Sequence, residues 1–117
     1  MSADLTIYLP GPGLDPESED FIEEIERYCA GPPPPASPRL LAFLRDLRAL
    51  YPDRGEDTVW ALTPIDTGLH GNLLGVGLRW SCYGPVHPAL LALAHRHGLS
   101  VFDPQSETHH PPSEAAA

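Results

Sequence analysis

Proline sets the grain of this chain. Fifteen of its 117 residues are Pro, against a usual share of roughly 5%. Each one removes a backbone donor and fixes φ, so it opens a helix, closes one, or stays out of a central strand. Pro10, Pro12, Pro16, the run Pro32 to Pro35, Pro38, Pro52, Pro64, Pro85 and Pro104 cut the sequence into stretches that hold one short element each. Hydrophobic residues make up 42% of the chain. That is enough for a packed core in a single domain of this length.

Between the prolines the periodicity is readable. Residues 4–9 alternate, with Leu5, Ile7 and Leu9 on one side and Thr6 and Tyr8 on the other, which predicts a strand. Asp15-Pro16 predicts a helix start, and Phe21, Ile22, Ile25, Tyr28 and Cys29 follow at helical spacing as far as Ala30. The run Pro32 to Pro35 predicts a stiff polyproline II connector. Ser37-Pro38 opens a second helix with the stripe Leu40, Phe43, Leu44, Leu47, Leu50 and Tyr51, closed by Pro52. Strands are predicted at 58–63 and 72–80, the second with Leu74, Val76, Leu78 and Trp80 on one face. Its Gly75 and Gly77 imply close approach by a backbone, a bulge or a ligand. A third helix at 85–97 turns Val86, Leu90, Leu93 and Ala94 inward and ends at Gly98, and a last strand covers 99–102.

The expected fold class is α+β, with element order β-α-α-β-β-α-β. The two leading helices act together as one crossover, which gives a ferredoxin-like, four-stranded antiparallel sheet of order 4-1-3-2 with helices on one face. The alternative is an α/β sandwich whose first helix packs apart from the sheet. Residues 1–104 form the expected domain, and 105–117 a partly disordered C-terminal tail.

Charge narrows the functions. The formal net charge is −9, from 16 acids and 7 Arg with no Lys, which opposes a phosphate backbone and excludes nucleic acid as the expected partner. No stretch reaches the roughly 20 apolar residues of a membrane span, and the first residues lack a basic region followed by an apolar run. The expectation is a cytoplasmic protein with no membrane partner. Two cysteines, Cys29 and Cys82, make no disulfide framework. The six histidines fall at no zinc-ligand spacing, so no metal and no cofactor is predicted.

Three segments together resemble a family of small uncharacterised bacterial proteins: SPRLLAFLRDLRALYPD at 37–53, the Trp of DTVWAL at 57–62, and HGLSVFDPQ at 97–105. The last matches an ending of the type HGL-x-V-[FY]-DPQ. The resemblance spans roughly residues 4–105 and implies a family with no established catalytic activity. In size and acidity such proteins are similar to bacterial toxin-immunity proteins. The proline run and the His109-His110 pair depart from the pattern.

Two functions follow. Residues 1–31 carry eight acids and one Arg, a net −7, which predicts an interaction module, immunity-type, that docks a basic protein partner on Glu19, Glu23 and Glu26. The alternative is a small enzyme or ligand-binding protein with a site at the sheet rim near Trp60, Asp66, His70 and Asp103. Asp103 and Gln105 stand where the last strand ends, as a turn or as contacts to a partner. Tyr8, Leu73 and Arg79 are expected on a bare sheet face, where they would pair with another protein or with a second copy as a homodimer. Cys82, five residues before His87, is a weak candidate nucleophile.

Overall fold

A computed structural model describes residues 2–112. The strands are β1 (Ser2–Tyr8), β2 (Leu69–His70), β3 (Leu73–Arg79), β4 (Ser100–Asp103) and β5 (Thr108–His110). The helices are α1 (Phe21–Ala30), α2 (Pro38–Leu50) and α3 (Tyr83–Arg96). All five strands form one sheet of order β2-β3-β1-β4-β5, and every neighbouring pair runs antiparallel. This corrects the expected four-stranded sheet in two places. The segment 58–63 forms no ladder of its own: Trp60 makes an isolated bridge to Leu78, and the strand beside β3 is the two-residue β2. The fifth strand comes from residues expected in the tail. Only the far end of that tail, 113–117, lies outside the described residues.

The sheet separates two cores. Adjacent residues of a strand point to opposite faces, and here adjacent residues belong to different clusters. Leu5, Ile7, Leu74, Val76, Leu78 and Val101 pack with Leu40, Phe43, Leu44 and Leu47 of α2 and with Val86, Leu90, Leu93 and Ala94 of α3. Tyr8, Leu73 and Phe102 pack instead with Leu14 and with Phe21 of α1, flanked by Ile25 and Tyr28. So α2 and α3 cover one face, and α1 closes part of the other. The expected single helical layer omitted this second, smaller core.

The helix ends follow capping chemistry. Ser37 caps α2, its hydroxyl accepting from Arg39 N, with Pro38 in the first turn. α1 starts five residues later than Asp15-Pro16 implied. Asp20 is the cap, accepting from Glu23 N at 3.0 Å, in the Asp-x-x-Glu arrangement of a capping box. Asp15 instead accepts from Glu17 N at 2.9 Å and makes a local turn. Gly98 follows α3 at φ +71°, a left-handed position that Gly adopts without penalty.

The proline run carries the chain from α1 on one face to α2 on the other, past the β2–β3 turn. Asn72 in that turn fastens both sides: its side chain accepts from Ser37 N at 2.8 Å, and its N–H donates to the Tyr28 hydroxyl at 2.9 Å. The sheet edge shows why Gly75 faces a glycine. The 3-10 turn Ile65–Gly68 presses against β3 there, and a Cβ on Gly68 would collide with the Gly75 carbonyl oxygen. The close approach is by backbone.

Candidate functional site

β3 ends at Arg79, and Trp80 does not continue it. Trp80–Cys82 is a 3-10 turn that runs straight into α3, so Trp80, Tyr83 and His87 follow one another at helical spacing, three and four residues apart. Their rings form a row. Trp80 stacks on Tyr83 with centroids 5.7 Å apart and planes 20° from parallel. Tyr83 lies 4.9 Å from His87, and His87 meets the ring of His110 edge-on at 5.7 Å. Trp80 is 54% exposed, the most open large apolar side chain among the described residues.

Behind this row sits Asp103, the last residue of β4 and only 2% exposed. Three side chains converge on it. The Tyr83 hydroxyl donates to Oδ2, and His87 Nε2 stands 3.4 Å from the same oxygen. Gln105 donates to Oδ1 twice, from its backbone at 2.9 Å and from its side chain at 2.6 Å. A carboxylate this deep needs such donors to offset its lost hydration. Burial, assisted by Asp103, pushes the Tyr83 phenol up to about 12. Burial also holds His87 below the ordinary histidine range, although Asp103 works in the opposite direction. His87 is therefore a neutral imidazole at pH 7. Its buried Nε2 faces the Asp103 carboxylate.

The rim of Trp60, Asp66, His70 and Asp103 does not assemble. Trp60 bridges to Leu78 at one end of β3, while His70 pairs with Leu73 at the other, roughly 17 Å away along the strand. Trp60 is buried, with its indole N–H donating to the Tyr51 carbonyl at 2.9 Å and its ring edge-on to Tyr51. It is a core residue. Asp66 pairs with Arg48 at 3.0 Å. His70 rests edge-on against Tyr28. Of the four, Asp103 alone belongs to the row of rings.

The other named residues scatter. Tyr8 is fully buried, its hydroxyl 2.9 Å from His109 Nδ1, and burial pushes its phenol up to about 12. Tyr8 and Leu73 therefore line a covered core, not a bare face, and Arg79 is exposed at the far end of β3, donating to the Glu56 carbonyl at 2.9 Å. Glu23 and Glu26 are exposed on α1, and Glu19 is exposed just before it. Cys82 lies 4.0 Å from the Ser81 hydroxyl and packs against the larger core; the acid–base partner of His87 is Asp103.

Trp80, Tyr83 and His87 were missed as a set, though the spacing W-x-x-Y-x-x-x-H is a legible helical face. Trp80 read as an inward strand residue because the Leu-x-Val-x-Leu alternation runs up to it. Among the described residues no group of three or more His, Cys, Asp or Glu is placed to hold a metal ion, and no helix is long and apolar enough to cross a membrane. No family model matches the chain, nor does any curated protein or solved structure.

Proposed function

We propose that this is a small ligand-binding protein whose site is the rim at the end of β4, with Trp80 as the platform. One observation carries the reading: three side chains converge on the buried carboxylate of Asp103, and one of them, Tyr83, stacks on a tryptophan that is more than half exposed. An exposed indole is ordinary when it stands alone. This one is held in orientation by Tyr83, whose hydroxyl is itself anchored, so the platform is preorganised. A flat ligand would stack on the indole face that Tyr83 leaves open.

A fragment screen followed by 1H–15N NMR tests the reading. Binding fragments should shift the Trp80 indole signal, and Trp80→Ala should abolish binding. Hits that leave that signal unmoved, or that bind Trp80→Ala equally well, would remove it.

The acidic approach to α1 supports a second reading, an immunity-type docking surface for a basic protein, because Glu19, Glu23 and Glu26 all reach solvent. Reversing the three to Lys would abolish capture of such a partner and its salt dependence. It would leave fragment binding at Trp80 intact.

A further inference from the structure

We propose that β5 is a pH-released latch: a three-residue strand that His109 and His110 hold against β4 and that acidification frees. The strand pairs with β4 at the edge of the sheet. Three residues of ladder hold little by themselves, so the side chains decide whether it stays. Strand alternation sends the two histidines to opposite faces. His109 enters the smaller core, its ring 4.7 Å from both Phe21 and Phe102 and its Nδ1 2.9 Å from the Tyr8 hydroxyl. His110 lies on the α3 side, its ring 5.7 Å from His87 and its carbonyl 3.1 Å from His95 Nε2. Two histidines on the strand and two on α3, four of the chain's six, thus meet here.

Protonation works against that arrangement. Burial among aromatic rings disfavours a charged His109, and a charge on His110 disfavours it further. His87 is held down by burial and, opposite His110, by the same charge. The surrounding groups are mixed. Glu17 draws a proton toward His109, Asp103 draws one toward His87, and Glu19, Asp20 and Glu107 line the cavity beside His109, while Tyr8 and His95 complete the contacts from β1 and α3. Both His87 and His109 stay below the ordinary range despite these carboxylates. The open strand therefore binds protons more readily than the closed one. The closed form has its full stability above about pH 6.5 and loses it as the pH falls through the depressed range. This rests on the contacts of the strand and holds whatever the rim binds.

Amide hydrogen exchange between pH 7.5 and 5.0, corrected for intrinsic rates, tests it on the full chain. Linkage favours the open strand about tenfold for each pH unit over which it holds one more proton than the closed strand. Thr108 to His110 should accordingly open about tenfold more at pH 5.0, while Leu5 and Ile7 in β1 keep their protection. His109→Phe keeps a ring in the core without the titration and should flatten the response; His110→Asn should reduce it. Unchanged protection of β5 at pH 5.0, simultaneous loss in β1, or a response in both variants equal to that of the parent chain would each overturn the latch.

Discussion

The side chain of Gln105 takes the place of a strand residue beside Asp4. Asp4 N donates to Oε1 at 3.0 Å, and Nε2 donates to the Asp4 carbonyl at 2.9 Å. The ladder between β1 and β4 spans Thr6 to Tyr8, so this one amide continues the pairing past the end of β4 while also holding Asp103. Gln105→Ala should lower stability by about 1–2 kcal/mol, a typical range for a few partly solvated hydrogen bonds. Gln105→Glu should do at least as much harm, because it removes the Nε2 donor and places a second carboxylate beside Asp103. Urea midpoints measure both, and an unchanged midpoint in the Ala variant would show that water replaces the clamp without loss.

Asp103 ties the site to titration behaviour. Asp103→Asn should bring the Tyr83 phenol down from about 12, because the carboxylate that disfavours the phenolate is gone, and burial keeps it above 10. The same change should move His87 further down, since Asp103 is the group that favours its protonation. NMR titration of the two rings reads both directions at once. Movement of neither would contradict the convergence on Asp103.

Two glycines with opposite surroundings make a paired test. Gly68→Ala would drive a Cβ into the Gly75 backbone, which has no side-chain freedom to yield. Its stability should fall by more than about 2 kcal/mol. Gly84 lies within α3 with nothing within 4 Å of an added Cβ. Gly84→Ala should therefore raise stability by up to about 1 kcal/mol, the usual helix preference. Thermal unfolding of the two variants should bracket the parent chain.

Acid stability should depend on Asp53. The Ile65 N–H, and then the Arg48 guanidinium, hold its carboxyl below the usual range, with distances of 3.0 and 3.1 Å. A depressed carboxylate contributes stability above its unfolded value near pH 4 and loses it as the pH falls through the folded value. The difference between the parent chain and Asp53→Asn should therefore be full at pH 5 and should shrink toward pH 2. A difference constant over that interval would mean that Asp53 acts through shape and not through charge.

What was legible in the sequence was local. Ser37-Pro38 and the stripe from Leu40 to Leu47 placed α2, because cap and periodicity agree. They conflict before α1: Asp15-Pro16 looks like a start, yet Asp20 and Glu23 supply the capping bond. β5 was illegible for a different reason. Thr108-His109-His110 has no apolar alternation, and its place depends on β4 and on Phe21 lying far away in sequence. The site divides in the same way. Asp103 was readable as the end of a strand, whereas its link to Tyr83 and His87 depends on the start of α3 passing beneath that end.

The two-sided core has a further consequence for how the chain tolerates change. Ile7 and Tyr8, Leu73 and Leu74, and Val101 and Phe102 are neighbours in sequence whose side chains are buried in different cores. In a sheet with one wet face, a deletion that shifts a strand by one position sends its apolar set to solvent and its polar set to the core. Here the same deletion in β1 would force Tyr8 among the leucines of α2 and α3 and leave Phe21 facing an aliphatic side chain too small to fill its place. Single-residue insertions and deletions in β1, β3 and β4 should therefore cost more than volume-conserving apolar substitutions on either face.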